Sequence, residues 1–319
     1  MVRKPLIIGS RGSALALRQA ELVKSALERE HRGLSVEITV IRTTGDKILD
    51  SPLSQIGDKG LFTREIESEL LGGAIDLAVH SLKDLPTESP AGLTIAAVTA
   101  REDVADVLVS KNQYTFATLP ESAVVLSGSL RRRAQMLHRR ADLKISDVRG
   151  NIHTRLRKLD ESEAAAIVMA AAGLNRAGLS HRIAERFEPT DFLPAPGQGA
   201  LALQVRSDDK TTADLVAPLE DPASRVTTFC ERRLLAALEG GCQIPIGAYA
   251  HLEEDKLHLR AMIASLDGAT LLTAEDIAPA DQSEPLGVGV ARKLLDQGAG
   301  EILQEILKHS PSRINRGYP

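Results

Sequence analysis

No tryptophan occurs in this chain of 319 residues, and all aromatic residues together make up 3% of it. Proteins that bind single-stranded nucleic acids usually stack the bases on aromatic side chains. The net charge of -4 also gives no overall attraction for a phosphate backbone. We therefore expect no nucleic acid among the partners of this protein.

Cysteine is also scarce. The two cysteines, Cys230 and Cys242, do not form a CxxC pair, and they are too few for a disulfide scaffold. Cys230 shares a helical spacing with Val226 and Leu234, which predicts a buried position. No cluster of cysteines and histidines has the spacing of a metal site, so no metal is expected.

Long apolar runs and nucleotide-binding loops are missing too. No apolar stretch reaches the length of a membrane span. There is neither a GxGxxG motif after a strand nor a P-loop, so no nucleotide is expected. The N-terminal residues lead directly into a strand-like run, without the apolar region of a signal peptide. We therefore expect a cytoplasmic protein with no membrane partner.

The sequence does contain a regular alternation of strand and helix patterns. Strand-like runs at 5–10, 35–41 and 76–80 are separated by helical periodicity, and the alternation continues to about residue 169. This pattern predicts α/β layers with largely parallel sheets. The proline- and glycine-rich segment 194–201 suits a crossover. From about Gly247, three strand patterns precede a helical pattern, which predicts a small α+β domain.

Cys242 lies in the most distinctive segment of the chain, LEGGCQIPIG at 238–247. The two glycines before the cysteine allow a sharp bend and leave space beside the sulfur. No periodic pattern buries this residue, in contrast to Cys230. A thiol in such a place can carry a covalently attached group.

Positive charge is concentrated in one part of an otherwise acidic chain. Eight arginines lie between Arg131 and Arg157, where the only acidic residues are Asp142 and Asp147. This concentration indicates an anionic ligand. A solvated helix face is the simpler explanation for three of the arginines, namely Arg133, Arg139 and Arg140.

Polar groups follow several of the predicted strands. Arg11 and Ser13 come after the first strand, and Lys83 and Asp84 come after the strand that ends at His80. Hydroxyl and arginine groups occur in the same way, after a strand and at the start of a helix, in the segments 127–132, 148–155 and 172–176. Strand ends and helix N-termini are common positions for groups that bind anions.

These segments, together with the one around Cys242, resemble the porphobilinogen deaminase family over nearly the whole chain from about Ile8. The resemblance implies a transferase that joins four porphobilinogen molecules head to tail with loss of ammonia and then frees hydroxymethylbilane by hydrolysis. It also implies a dipyrromethane cofactor that is bound to Cys242 through a thioether. Asp84 is the implied catalytic residue, because a fixed carboxylate can protonate the leaving amine and stabilise a cationic pyrrole.

The resemblance also implies which residues bind the pyrroles, most of them through the acidic side chains of the pyrroles, a task for which guanidinium groups are well suited. The implied cofactor-binding residues, besides Cys242 and Asp84, are Lys83, Ser127, Ser129, Arg131 and Arg132. The implied substrate-binding residues are Arg11, Ser13, Lys59, Phe62, Arg149, Arg155, Arg176 and Gln198. The sequence departs from the family pattern at Gln55, Gly128 and His153.

The implied fold has two α/β lobes, similar to those of type II periplasmic binding proteins, and a small C-terminal α+β domain. The implied domains are 1–99 together with 200–217, then 100–199, then 218–319, which carries Cys242. The loop 43–61 is long for a compact domain and is the implied lid. Because the family is generally monomeric, we expect a monomer.

Two other functions remain open from the residues alone. A noncatalytic two-lobed anion-binding protein would share the fold and the arginines, but it would have no use for the segment around Cys242. A cysteine hydrolase or acyltransferase would need a histidine within reach of Cys242. His80 is the nearest candidate for that histidine, and we expect it to pack at a strand end instead.

Overall fold

The computed structural model describes residues 4–47, 63–238 and 244–308. Four positions singled out from the sequence, together with most of the predicted lid loop, lie outside these residues: Gln55, Lys59, Phe62 and Cys242. Within the described residues, the chain forms two compact units. The first unit comprises 4–47, 63–103 and 197–226, and the second comprises 104–196, 227–238 and 244–308.

The strands and helices follow the predicted alternation. The strands are β1 (Leu6–Arg11), β2 (Val36–Ile41), β3 (Leu77–Ser81), β4 (Leu93–Val98), β5 (Asp106–Ser110), β6 (Val124–Leu126), β7 (Lys144–Ser146), β8 (Ala166–Ala170), β9 (Ile183–Arg186), β10 (Leu201–Arg206), β11 (Ile246–Glu253), β12 (Lys256–Ala264) and β13 (Leu271–Pro279). The helices are α1 (Ala14–Glu30), α2 (Thr44–Lys47), α3 (Arg64–Leu71), α4 (Leu130–Arg139), α5 (Ile152–Glu161), α6 (Ala171–Arg176), α7 (Lys210–Val216), α8 (Pro222–Ala237), α9 (Ser283–Leu294) and α10 (Gly300–Lys308). None of the described helices is long and apolar enough to cross a membrane.

The sheet of the first unit has the strand order β2-β1-β3-β10-β4. Strand β1 pairs in parallel with β2 and β3, whereas β10 is antiparallel to both β3 and β4. Helix α1 covers one face, because its residues Ala20, Val23 and Leu27 recur at helical spacing and are buried with the strand residues Ile8 and Leu77.

The main sheet of the second unit repeats this arrangement in the order β7-β6-β8-β5-β9. Strand β6 is parallel to β7 and β8, and β5 is antiparallel to β8 and β9. In both sheets, one strand therefore runs against the other four. The expectation of largely parallel sheets is confirmed for the strand direction, but the single reversed strand makes each sheet mixed.

The second unit also contains the predicted antiparallel sheet, in the order β11-β12-β13. One face of β12, including Leu257 and Leu259, is buried, and helix α9 packs on β12 and β13. The helical pattern predicted after the three strands is interrupted, because Gly298 adopts a positive φ of 101° between α9 and α10. The predicted fold class, two α/β sheet layers and a small α+β part, is confirmed.

The predicted crossover segment lies where the chain passes from the second unit back to the first. Gly197 and Gly199 have φ values of 75° and 93°, which favour glycine. A Cβ atom on Gly199 would lie 2.4 Å from the carbonyl oxygen of Glu102, so no side chain fits there. The return of this segment to the first unit at residue 197 gives that unit its discontinuous sequence.

Candidate functional site

The candidate residues of the first unit collect at one edge of its sheet. The parallel neighbours β1 and β3 end at Arg11 and Ser81, so the groups that follow them emerge on the same side. The reversed strand β10 begins there as well, because Leu201 is paired with Ser81. Gln198, which precedes β10, therefore reaches this edge from a distant part of the sequence.

Asp84 lies in a short 3₁₀ turn, Leu82–Asp84, directly after β3. Its carboxylate is exposed and has no hydrogen bond or ion pair with any residue that the structure describes. The neighbouring Lys83 donates a hydrogen bond from Nζ to Oε1 of Gln198 at 3.3 Å. The amide of Leu82 donates to the carbonyl of Ala200 at 3.0 Å, which fixes the turn against the crossover segment.

Ser13 and Arg11 lie at the start of α1. The Oγ atom of Ser13 accepts a hydrogen bond from the amide of Ala16 at 3.3 Å, so this residue is the N-cap of the helix. Arg11 is half-buried, and its positive charge helps to lower the pKa of His80.

His80 is buried within β3, as the sequence predicted. Burial, with a smaller contribution from Arg11, lowers the pKa of His80 from 6.5 to about 4, against the opposing effect of a hydrogen bond with Gln204. Its Nε2 atom lies 3.1 Å from Oε1 of Gln204. The ring is therefore neutral near pH 7, and its Nε2 atom is engaged with Gln204 in the core.

The candidate residues of the second unit also collect at a sheet edge. The strands β7, β6 and β8 are parallel neighbours and end at Ser146, Leu126 and Ala170. The three polar segments predicted after strands follow these ends. The reversed strand β5 begins at the same edge, because Asp106 is paired with Ala170.

Asp106 binds both arginines of the Arg131-Arg132 pair. Its Oδ2 accepts from Nη1 of Arg131 at 2.7 Å, and its Oδ1 accepts from Nη2 of Arg132 at 2.7 Å. Arg131 also donates to the carbonyl of Leu193 at 2.6 Å, and Arg132 to that of Val168 at 3.2 Å. All three charged side chains are buried, so this is an interior ion cluster and not a solvated helix face.

The charges in this cluster do not cancel. Burial alone would raise the pKa of Asp106, but the charges of Arg131 and Arg132 and their hydrogen bonds outweigh it and hold that pKa well below its usual range. One carboxylate faces two guanidinium groups, so one positive charge remains. The Nε atom of Arg132 is buried without a hydrogen-bond partner among the described residues, which is costly for an arginine unless a ligand accepts from it.

Ser127 and Ser129 shape the turn that leads into α4. Oγ of Ser127 accepts from the amide of Ser129 at 3.3 Å, and Ser129 is the N-cap of α4. A Cβ atom on Gly128 would lie 2.7 Å from the carbonyl oxygen of Val148. This close approach gives a physical reason for glycine at this position, where the sequence departs from the family pattern.

Arg149 and Arg155 lie at the neighbouring strand end. Both are half-buried, and Nε of Arg155 donates to the carbonyl of Gly150 at 2.7 Å. Burial lowers the pKa of Arg149, and Asp147 opposes that effect. His153 is exposed on the first turn of α5.

Arg176 differs from the prediction for its segment. Its helix, α6, starts at Ala171, and Arg176 is the last residue of that helix. At a rise of roughly 1.5 Å per residue, its backbone is about one and a half turns from the strand end. Arg176 therefore lies at the end of a helix, where the sequence predicted the start of one.

Asp106 is the residue that the sequence interpretation missed. A charged residue at the start of the apolar run Ala105–Ser110 was the available signal, because such a residue is buried only when it is paired. Gln19 was missed as well. Its Nε2 lies 3.0 Å from Oγ of Ser81, which connects α1 with the end of β3, and the sequence gives no signal for that contact.

Comparison with known proteins identifies the family. The dipyrromethane cofactor-binding domain of porphobilinogen deaminase matches residues 6–214, and the C-terminal domain of porphobilinogen deaminase matches residues 226–296. The chain belongs to the porphobilinogen deaminase family. The prediction made from its motifs is confirmed, and both sheet edges fall within the match to the cofactor-binding domain.

Individual members of the porphobilinogen deaminase family are similar over nearly their full lengths. The porphobilinogen deaminase of Chloroherpeton thalassium is 50% identical over 309 residues, which cover 96% of this chain and 98% of that protein. That of Syntrophobacter fumaroxidans is 49% identical over 308 residues, which cover 97% of this chain and 100% of the relative. The similarity to the family therefore covers nearly the whole of this chain and nearly the whole of each relative.

Similarity to solved structures is much weaker. The periplasmic aliphatic sulphonate-binding protein from Escherichia coli is 17% identical with a TM-score of 0.37, and the match covers 74% of this chain and 70% of that protein. A score at this level adds nothing to the argument from sheet topology. The fold class therefore rests on the strand order and on the family.

Proposed function

We propose that this protein is a porphobilinogen deaminase, which joins four porphobilinogen molecules head to tail on a dipyrromethane bound to Cys242. Each addition releases ammonia, and hydrolysis then frees hydroxymethylbilane. The observation that carries this proposal is the 50% identity to a porphobilinogen deaminase over 96% of the chain. The rival function, a noncatalytic anion-binding protein, is not favoured by that match.

The described residues fit a cofactor with acidic side chains. The edge of the second unit holds an ion cluster with one uncompensated positive charge and a buried Nε of Arg132 that lacks a partner in the described part of the chain. Such a group suits an acetate or propionate. When bound, dipyrromethane supplies a free pyrrole carbon from which the product can grow.

Asp84 is the proposed acid–base residue. It protonates the amine that porphobilinogen loses as ammonia, and the resulting carboxylate stabilises the positive charge that develops on the pyrrole nitrogen of the substrate. It then removes the ring proton after coupling. The exposed, unpaired carboxylate supports this role, because no ion pair within the described residues has to be broken before a substrate is bound.

The remaining site residues are proposed to bind the cofactor and the substrate, most of them through the pyrrole carboxylates. Lys83, Ser127, Ser129, Arg131 and Arg132 bind the cofactor. Arg131 acts largely through position, because its guanidinium is already engaged by Asp106 and Leu193. The proposed substrate-binding residues are Arg11, Ser13, Lys59, Phe62, Arg149, Arg155, Arg176 and Gln198.

The organisation of the protein is proposed along with its activity. We propose a cytoplasmic monomer with three domains, at 1–99 with 200–217, at 100–199 and at 218–319. The loop 43–61 is the proposed lid. The family membership supports these assignments, and the sheet composition of the two units is compatible with them.

The covalent tether gives the most direct test. The purified, denatured and reduced protein is weighed as an intact chain beside a Cys242→Ala variant. We expect the wild-type protein to exceed its sequence mass by two linked pyrrole units and the variant to have its bare sequence mass. A Cys230→Ala variant is the matched control, because Cys230 is buried and burial raises the pKa of its thiol to about 12.

Three outcomes would contradict the proposal. The first is an added mass that persists in Cys242→Ala, and the second is one that is lost in Cys230→Ala. The third is a wild-type chain that has its bare mass and still gains none after incubation with porphobilinogen. Formation of hydroxymethylbilane from porphobilinogen by the loaded protein completes the test.

A further inference from the structure

A cluster of possible metal ligands lies on the C-terminal sheet and shares no residue with either candidate edge. His251 on β11 and His258 on β12 are directly opposite each other in the antiparallel register. Glu253 is two residues beyond His251, so its side chain is on the same face of the sheet. The ligand atoms of these three residues all lie within 4.8 Å of one another.

The two histidines are held in place by ring stacking. The ring centroids of His251 and His258 are 4.9 Å apart, and those of Tyr249 and His251 are 5.2 Å apart. Three stacked rings form a continuous row in a chain with few aromatic residues. This packing restricts the rotation of both imidazoles, so little side-chain entropy remains to be lost when an ion is bound.

The polar atoms of the cluster are incompletely satisfied. Nε2 of His258 lies 3.4 Å from Oε2 of Glu253, a distance longer than a good hydrogen bond. Nδ1 of His251 is buried and has no hydrogen-bond partner among the described residues.

We propose that His251, Glu253 and His258 bind one divalent transition-metal ion, for which Zn²⁺ is the best-fitting candidate. Two imidazole nitrogens and one carboxylate oxygen are ligands of Zn²⁺, which is bound by nitrogen and oxygen donors in a tetrahedral arrangement. Ca²⁺ and Mg²⁺ prefer oxygen ligands alone. The exposed Glu253 leaves a fourth position open to water.

The ion would connect the two strands near the end of their hairpin. The turn contains Glu254, a non-glycine residue with a positive φ of 54°, a conformation that side chains rarely adopt. Holding β11 to β12 beside this turn stabilises the folded hairpin in proportion to the logarithm of the ion concentration. The site does not depend on the proposed function, since none of its residues takes part in that reaction.

The binding experiment uses the protein as purified, with its natural covalent load and without a histidine tag. After EDTA treatment and dialysis, Zn²⁺ is titrated against a coloured chelator. We expect one ion per wild-type chain. In His251→Gln and in His258→Gln, the affinity for Zn²⁺ should fall by at least roughly 10- to 100-fold. That is the loss when only the hydrogen-bond partner of a metal ligand is removed, so loss of the ligand itself should cost at least as much. His181→Gln is the control, since this histidine is exposed and outside the cluster.

The identity of the ligands is read with Cu²⁺ in place of Zn²⁺. Electron paramagnetic resonance should show the hyperfine pattern of two imidazole nitrogens in the wild-type protein and of one in either histidine variant. A purely packing role for the ring stack would give no stoichiometric binding. Circular dichroism and porphobilinogen turnover, each equal to that of the wild type, establish that the variants are folded.

The proposal is overturned by any of three results. One is a wild-type protein that does not compete with the chelator for Zn²⁺. Another is an affinity that stays unchanged in both His251→Gln and His258→Gln. The third is an equal loss of affinity in His181→Gln, which would mean nonspecific binding to surface histidines.

Discussion

The two sheet edges share a topology but treat their aspartates in opposite ways. At the first edge, Asp84 is exposed and has no ion pair within the described residues. At the second, Asp106 is fully buried and is bound by two arginines at 2.7 Å each. In each sheet, the reversed strand starts at the edge where its antiparallel neighbour, β3 or β8, ends.

The difference shows how one architecture can serve both reaction and binding. A carboxylate that reacts has to exchange protons with a ligand, which an exposed, unpaired Asp84 can do. A buried carboxylate between two guanidinium groups cannot be protonated near neutral pH, so Asp106 serves to position the arginines. The exposed carboxylate of the first edge therefore suits the proposed acid–base role, and the second edge offers a fixed positive charge.

The largest expected effect comes from removing the carboxylate of Asp84, the proposed acid–base residue. Asp84→Asn should slow the formation of hydroxymethylbilane by roughly 10²- to 10⁴-fold, because the amide cannot exchange a proton. Its stability should stay within about 0.5 kcal/mol of the wild type, since the side chain is exposed. Single-turnover kinetics with porphobilinogen measure the first quantity, and urea unfolding measures the second. Glu88→Gln, at a nearby exposed carboxylate, is the control for loss of charge alone.

Near-normal turnover in Asp84→Asn would remove Asp84 from the mechanism. Equally slow reactions in Asp84→Asn and Glu88→Gln would indicate a general effect of charge. The exposed carboxylate of Asp84 would then have no specific role in the reaction.

At the second edge, the expected effect is a large loss of stability. Asp106→Asn should destabilise the second unit by about 3–5 kcal/mol, because it leaves two buried guanidinium charges without their partner. Asp160→Asn is the control, since its ion pair with Arg182 is partly exposed and is worth less than about 1 kcal/mol. Tyrosine fluorescence during urea unfolding reports on this unit, because Tyr114 and Tyr249 lie in it and the chain has no tryptophan.

The dependence on pH has a definite sign. Because the pKa of Asp106 is lowered in the folded protein, its stabilisation is complete above the ordinary value of 3.8 and is lost as the pH falls below it. The difference in stability between wild type and Asp106→Asn should therefore shrink below about pH 4. An equal difference at pH 7 and pH 3 would contradict the assigned ion cluster.

The sequence predicts the general arrangement better than the individual contacts. The alternation of patterns predicts the sheets, because apolar periodicity depends on local structure, and the segment at 194–201 is correctly predicted as a crossover. The sequence does not predict the contact of Asp106 with Arg131 and Arg132, because this contact depends on the reversed direction of β5. The sequence predicts Arg176 at the start of a helix, whereas α6 is short and Arg176 is its last residue. The His251–His258 cluster is visible only once the hairpin register is known.

A smaller effect is expected from the buried histidine of the first edge. Since the pKa of His80 falls from 6.5 to about 4 on folding, the unfolded chain binds more protons in this range. Stability should therefore decline by about 3 kcal/mol as the pH falls from 6.5 to 4. His80→Gln should lack this part of the decline, whereas His181→Gln should retain it. Thermal unfolding followed by circular dichroism across this pH range provides the measurement, and identical slopes in both variants would contradict the assignment.

The smallest expected effect is the loss of stability on removal of a helix N-cap, and it should be equal at both edges. Ser13 and Ser129 are the N-caps of α1 and α4, and each accepts a hydrogen bond from the amide three residues later, at 3.3 Å and 3.4 Å. Replacement of either serine by alanine should cost about 1 kcal/mol, and replacement by glycine only a few tenths of that unit. Hydrogen exchange of the first-turn amides measures each helix separately. A much larger loss in Ser129→Ala would mean that this hydroxyl supports the ion cluster of Asp106 as well as its helix, and the second edge would then be more tightly coupled than the first.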